Sequence, residues 1–319
     1  MDIELSDLQT KKQALLDLLK HLKANAYQFI SVTPETHSRV LRHAAVGETL
    51  ADIFGWNRWF YAADLKAPLF ELLKYHDLLE QQEQLFRCKF RVSSLNDEIF
   101  IHSSYPTTSQ NAVFLGPDTY RFNLHLDCFL KQQQFSVSSI LEMGSGTAAT
   151  AILTTKKFNP QPELTLVDIN PHALLLSELH AEFSGIEKFR AVNSHLYQEI
   201  HEQYDLIIAN PPYLVDSERR QYRHGGYKMD GAQLAFDIVQ QGVTHLYRNG
   251  HLFLYTGVAI RNGQSILQER IEEWFKGQSK FTWHWQEIDP DIFGEELEQP
   301  YYSGVERIAA IILCVHKIA

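Results

Sequence analysis

Three cysteines in 319 residues, Cys88, Cys128 and Cys314, lie far apart. So few thiols exclude a disulfide framework and a cysteine-based zinc site. No run reaches the ~18 apolar residues of a membrane span, and the N-terminal Met1-Asp2-Ile3-Glu4 shows no basic segment followed by an apolar stretch. The fifteen histidines form no His-Glu-x-x-His pattern, so no metal is expected. These absences predict a reduced, cytoplasmic protein with neither membrane nor metal partner.

An excess of positive charge is also missing. The formal net charge is -10; residues 1–110 hold 12 Lys and Arg against 14 Asp and Glu, and the remainder 17 against 25. Neither part is a basic nucleic-acid module, although a local patch could still bind one. There are no internal repeats and no low-complexity tract. With 45% hydrophobic and 21% charged residues, the composition is that of an ordinary globular protein.

The length suits two domains, with a boundary near residue 110. Ser6-Asp7-Leu8-Gln9 has the form of a capping box, and Leu8, Leu15, Leu18, Leu19 and Leu22 recur at helical spacing. Thr33-Pro34 starts a second helix that ends near Gly47. Short helices through Leu50–Phe54 and Leu69–Leu79 follow. The period then changes: Phe86 to Val92 and Ile99-Phe100-Ile101 predict a two-stranded hairpin. Helices followed by a hairpin is the order of a winged-helix module, read either as substrate recognition or as a helical cap over a cleft. Ser103 to Ala112, rich in Ser, Thr and Pro, predicts a linker.

From residue 113 strands and helices alternate, which implies an α/β domain with a parallel sheet. Strands are expected at 137–143, 164–167, 189–192, 206–209, 252–255, 281–288 and 307–315, with helices at 147–155, 171–183, 234–246 and 266–275 and a turn at Asn249-Gly250. Trp283-His284-Trp285 alternates as a strand does, which assigns its tryptophans to the core.

Two stretches carry chemistry. Glu142-Met143-Gly144-Ser145-Gly146-Thr147 leaves a strand and enters a helix, where glycines admit a ligand close to the backbone and the helix N-terminus favours electron-rich groups. Gly144-x-Gly146-x-x-Ala149, with Asp168 22 residues past Gly146, also satisfies a dinucleotide fingerprint. A nicotinamide oxidoreductase is therefore an alternative. Against it, Glu142 would repel a pyrophosphate but welcome the ammonium of a zwitterion. The second stretch is Asn210-Pro211-Pro212-Tyr213. The prolines end the apolar strand Leu206 to Ala209, because neither can donate a ladder hydrogen bond. Asn210 is left at the carboxyl edge of the sheet, where open α/β sheets bind ligands.

Glu142 to Ala148, Leu166 to Pro171 and Asn210 to Tyr213 together resemble class I S-adenosylmethionine-dependent methyltransferases. The similarity covers roughly residues 113–315, and seven strands is the count of that Rossmann-like sheet. The branch with Asn-Pro-Pro-Tyr contains release-factor glutamine N5-methyltransferases and nucleic-acid amino-methyltransferases. The resemblance implies S-adenosylmethionine as cofactor, with Gly144, Ser145 and Gly146 at its amino-acid part and Glu142 facing the ammonium. Asp168 would hold the ribose, Ile169 would pack on the adenine, and Asn193 and Ser194 would lie at the adenine edge. His195 stands where the family has an acid; its plain reading is a surface histidine. Leu115 to Phe122 resembles the segment over the methionine end, or else Asp118 or Thr119 caps a helix.

The reaction explains the four-residue motif. The lone pair of an amide or aryl amine nitrogen is delocalised, and acceptors for its N–H protons free it. The Asn210 side-chain oxygen and the Pro211 carbonyl are such acceptors, with Pro212 as a rigid corner, and Tyr213 offers a stacking face. The resemblance also implies that Asn210 abuts the cofactor. Arg219, Arg220, Arg223 and Lys228 in the polar stretch that follows face either the substrate or solvent. The expected function is methyl transfer to a planar nitrogen of a macromolecule, protein glutamine or nucleobase. A catalytically silent scaffold is the other alternative.

Overall fold

The computed structural model describes residues 5–43, 46–132 and 136–318, with side chains from Leu8 onward. The side chains of the expected capping box at Ser6 and Asp7 lie outside the described residues. The leucine period produces α1 (Leu5–Thr10) and α2 (Lys12–Ala24), broken at Lys11. Leu15, Leu18, Leu19 and Leu22 are fully buried, each contributing about 1.5–3 kcal/mol of apolar burial. In α3 (Pro34–Leu41) Thr33 Oγ1 accepts the Thr36 N–H at 3.3 Å, the cap that Thr33-Pro34 predicts. This helix ends at Leu41, earlier than expected. A single π-helical turn (Ala51–Gly55), β1 (Phe60–Tyr61) and α4 (Ala67–Tyr75) follow.

The hairpin region differs from expectation. The strand expected to run from Phe86 to Val92 splits at Lys89 into β3 (Leu85–Cys88) and β4 (Phe90–Leu95). β3 lies between β1 and β2 (Leu79–Gln82), while β4 pairs with β5 (Glu98–Ser103). Asn57 causes the break, since its Nδ2 donates to both Cys88 O (2.8 Å) and Phe90 O (3.2 Å). The stretch expected as a linker is pinned at its ends. Ser103 N–H donates to Val113 O at 2.9 Å, and Asn57 Oδ1 accepts the Tyr105 N–H at 2.9 Å.

Next come α5 (Pro117–Gln132), β6 (Ser139–Met143), α6 (Ala149–Thr155), β7 (Glu163–Asp168), α7 (Pro171–Phe183), β8 (Phe189–Asn193) and β9 (Tyr204–Ala209). The chain closes with α8 (Gln233–Gly242), β10 (Leu246–Ile260), α9 (Ile266–Phe275), β11 (Phe281–Asp289) and β12 (Arg307–Lys317). The seven strands of this sheet lie in the order β11-β12-β10-β9-β6-β7-β8. β6 to β10 are parallel, and β12 runs antiparallel to both its neighbours. The order reverses between β6 and β9, the switch point at which such sheets bind ligands.

Strand β10 is longer than expected, because the turn at Asn249-Gly250 is a bulge within it. The register shifts between Leu246 and His251, and Asn249 takes φ +67°. Trp283 and Trp285 sit half-buried on the edge strand, Trp283 with its ring 6.1 Å from Phe275 of α9. Helix α7 joins the two parts of the chain. Ala173, Leu176 and Leu179 from α7 share one apolar core with the α2 leucines and with Val92 and Ile101 of the β4–β5 hairpin.

Candidate active site

The turn leaving β6 reverses the chain with Gly144 at φ +72° and Gly146 at +54°, values that cost an L side chain energy. Gly144 and Ser145 N–H both donate to Val167 O, at 2.8 and 2.9 Å. Gly146 N–H donates to Asp168 Oδ2 at 2.9 Å, and Asn170 N–H to Asp168 Oδ1 at 2.9 Å. Asp168 thus spends one acceptor position of each oxygen on the backbone and keeps the others. Burial raises its pKa, and the N–H donors oppose the rise.

Helix α7 braces this turn from behind. Ser177 Oγ donates to Gly146 O at 3.0 Å and pairs with Ser145 Oγ at 3.1 Å. His180 Nε2 accepts the Ile101 N–H at 2.8 Å, so the ring proton is on Nδ1 and is donated to Thr147 O at 2.9 Å. The imidazole is neutral, and burial pushes its pKa down to about 4. One histidine therefore ties the N-terminal hairpin to the glycine turn.

Glu142, on β6, is buried, and its Oε2 has no hydrogen-bond partner among the described residues. Burial, and then the neighbouring Asp168, hold its carboxyl well above the usual range. A buried carboxylate without a cation is costly, and this one lies directly before the glycine turn.

A cleft of roughly 920 Å³ opens above these strand ends. One wall is Gly144, Gly146, Asp168, Ile169, Ser194 and His195; the next is Asn210 to Tyr213. Val32, Pro34, Tyr105 and Thr107 from the N-terminal part close the far side. Ile169 is 51% exposed and is free to cover a planar group. His195 is exposed as a surface histidine would be, yet it also lines the cleft. Ser145 and Asn193 are outside the lining: Ser145 bonds Ser177, and Asn193 Nδ2 donates to Ile169 O at 3.0 Å, bracing the turn after β7. The structure brings the two sequence motifs to one cleft across the switch point.

Asn210 follows the last residue of β9, and its side chain makes no hydrogen bond among the described residues. Tyr213 is only 7% exposed, so the open stacking face expected of it is largely covered. The ring lies on β10 at Gly257, where a Cβ would come within 2.2 Å of Tyr213 Cε2. Phe293 meets it edge-on at 6.1 Å. Asp118, in the first turn of α5, accepts the Tyr213 hydroxyl at 2.6 Å on one oxygen and the Tyr255 hydroxyl at 2.6 Å on the other. Asp118 is therefore no helix cap. Neither Tyr255 nor Gly257 belongs to a motif: Tyr255 is the last residue of the expected strand 252–255, and Gly257 lies beyond it.

The arginines of the cleft loop are largely engaged. Arg220 forms an ion pair with Asp216, and Arg223 with Glu296. Arg219 has no acidic partner among the described residues; its Nε donates to the Tyr227 hydroxyl at 3.1 Å, with the guanidinium 5.4 Å from that ring. All three line the cleft, whereas Lys228 does not. Two of the expected substrate cations thus serve first to hold the loop. Among the described residues no cluster of His, Cys, Asp and Glu could hold a metal ion, and no helix is long and apolar enough to cross a membrane.

Residues 123–279 match the family model described as methyltransferase small domain. A release factor glutamine methyltransferase of Deinococcus radiodurans is 29% identical over 200 residues, 60% of this chain and 66% of that protein. A ribosomal protein uL3 glutamine methyltransferase of Francisella tularensis is 29% identical over 159 residues, 46% of this chain and 47% of that protein. A tRNA1(Val) (adenine(37)-N6)-methyltransferase of Pedobacter heparinus is 27% identical over 135 residues, 41% of this chain and 56% of that protein. The chain spans less than two thirds of the length of each of these curated relatives. The matches lend no support to a nicotinamide oxidoreductase. Through residues 123–279, just under half of its length, the chain is similar to the methyltransferase small-domain family, in line with its resemblance to class I S-adenosylmethionine-dependent methyltransferases.

Proposed function

We propose that this protein is an S-adenosylmethionine-dependent N-methyltransferase that acts on a planar nitrogen of a macromolecule, and that the acceptor is the side-chain amide of a polypeptide glutamine. The observation that carries the reading is Asn210, whose uncommitted side chain shares a cleft with the glycine turn.

The residues around the turn fit the cofactor. A Cβ on Gly144 or Gly146 would meet open space, so the backbone is bare where a ligand would lie against it. The partnerless oxygen of Glu142 suits an ammonium, directly or through a water. Asp168 keeps acceptor capacity for ribose hydroxyls, and Ile169 supplies an apolar surface for adenine. S-adenosylmethionine supplies an electrophilic methyl group on its sulfonium.

The chain's own part is orientation. Asn210 Oδ1 and Pro211 O accept the two N–H protons of the acceptor amide, which turns the lone pair out of conjugation. The nitrogen would then take the methyl group as the methyl–sulfur bond breaks, the bonding pair staying on sulfur as a thioether, and would give up one proton to solvent. Such positioning is worth up to ~7–11 kcal/mol in well-oriented systems, so no strong general base is needed.

Charge favours a protein acceptor over a nucleic acid. Arg220 and Arg223 are held by Asp216 and Glu296, and Glu35, Glu295 and Asp237 also line the cleft. Little cationic surface is left for a phosphate backbone. The region before residue 111 acts in this reading as a recognition domain, since it closes one side of the cleft.

The test is tritiated-methyl transfer into extracts of cells lacking the protein. Label that protease releases supports the proposal; label that nuclease releases replaces glutamine with a nucleobase. Asn210→Ala should abolish transfer with S-adenosylhomocysteine binding intact. Undiminished transfer in that variant would refute the mechanism, and no transfer by the wild type would leave a silent scaffold.

A further inference from the structure

Behind the four-residue motif lies a buried arrangement that neither the motif nor the cofactor turn explains. Asp118 receives two phenol hydroxyls, Tyr213 on Oδ2 and Tyr255 on Oδ1, both at 2.6 Å. Arg121, one turn along α5, approaches Asp118 Oδ1 at 3.3 Å and Asp289 Oδ2 at 3.0 Å. Tyr255 is fully buried on β10, two residues before Gly257, on whose bare backbone the Tyr213 ring rests. The parts come from four elements: α5, the loop after β9, β10 and the end of β11. A carboxylate with two short O–H donors makes charge-assisted bonds, the stronger class of hydrogen bond.

We propose that Asp118 is a positioning residue for methyl transfer: by holding the Tyr213 hydroxyl it fixes the corner after Pro212 and so aims the acceptor atoms of Asn210 and Pro211. This rests on the function proposed above. The logic is geometric. Pro211 and Pro212 make the segment from Asn210 to Tyr213 a stiff arm, and a stiff arm is aimed by whatever anchors its end. Gly257 fixes the ring against β10, and Asp118 fixes its rotation and depth. Asn210 needs no tether of its own and stays open to substrate. Because Tyr255 shares the same carboxylate, the anchor is referred to the sheet rather than to the loop that carries Tyr213. Asp118 also lines the cleft, so the rival role is direct contact with cofactor or substrate, and the experiment separates the two.

Asp118→Ala leaves both hydroxyls without an acceptor, and Asp118→Asn retains a carbonyl for one of them. Both are compared with Tyr213→Phe and with the double variant Asp118→Ala/Tyr213→Phe. Single-turnover transfer, S-adenosylhomocysteine affinity by calorimetry, Tm, and hydrogen exchange of a peptide spanning 210–216 are measured on each full-length protein. Expected is a loss in kcat of roughly ten- to a hundredfold for Asp118→Ala, on the scale of a misplacement of about 1 Å, with a smaller loss for Asp118→Asn. Tyr213→Phe should show a similar loss, and the double variant no further loss, because both substitutions cut one connection. Cofactor affinity should stay within about threefold and exchange in 210–216 should quicken. Ile271→Val, in the α9 core away from the cleft, controls for lowered Tm and should keep wild-type kcat. Losses that multiply in the double variant, or a loss carried by cofactor affinity, would overturn the proposal. If the wild type transfers no methyl group the function above fails, and the exchange measurement still decides the anchor: unchanged exchange in Asp118→Ala sinks it.

Discussion

Asp168 Oδ2 accepts the backbone N–H of Gly146 at 2.9 Å, so the acid expected to hold a ribose also holds the glycine turn in shape. Its other oxygen takes the Asn170 N–H at 2.9 Å. Asp168→Asn keeps the size but presents an NH2 group to one of these donors. A buried donor left unpaired costs about 1–3 kcal/mol. Expected is a lowered Tm together with at least about a tenfold loss of S-adenosylhomocysteine affinity, measured by thermal unfolding and calorimetry. Full affinity in this variant would remove Asp168 from the cofactor site.

Glu142 predicts opposite changes in stability and binding. Its folded pKa is raised above the ordinary value of 4.5, chiefly by burial and then by Asp168. Its contribution to stability is therefore greatest below pH 4.5 and is lost as pH rises through the raised folded value. Glu142→Gln has no such loss. The variant should melt higher than wild type at pH 7, with the difference shrinking toward pH 4. Its affinity for S-adenosylhomocysteine should fall, because the acid proposed to face the ammonium is gone. A variant that melts lower at pH 7 would show that the carboxylate is already paired.

His180 gives the reverse pH slope. Its folded pKa is lowered from 6.5 to about 4 by burial, so the unfolded chain binds a proton first as pH falls. The stability that the neutral ring contributes is fully present above about pH 6.5 and is lost between there and about pH 4. His180→Ala should flatten that part of the Tm-against-pH curve. It also leaves the Ile101 N–H and Thr147 carbonyl without their partner, at about 1–3 kcal/mol each, and should weaken cofactor binding through the loosened turn. An unchanged curve would assign the acid sensitivity to other groups, of which His37, also lowered to about 4 by burial, is the first to test.

Both chemical stretches were legible in the chain because each is local. Two glycines with positive φ, an acid at a strand end and an Asn-Pro-Pro corner are fixed by a few neighbouring residues. The helices 171–183 and 266–275 match α7 and α9 as expected, since apolar residues run along the length of each and their starts are marked by Asn170-Pro171 and Ser265. Where a distant side chain intervened, reading the sequence failed. Asn57 split β3 from β4 by reaching carbonyls 31 and 33 residues away. At Asn249-Gly250 a turn signal became a bulge because β9 held the strand on both sides of it.

The site divides in the same way. Sequence alone determined the glycine turn, the acid at the end of β7 and the Asn-Pro-Pro-Tyr motif, because covalent order sets their backbone geometry. Tertiary structure alone decided that Asp118 anchors Tyr213 across 95 residues, that Arg220 and Arg223 are committed to Asp216 and Glu296, and that the N-terminal part closes the cleft. Those outcomes depend on which side chains share a buried space, and a pairing between distant residues leaves no period or spacing in the chain that makes it.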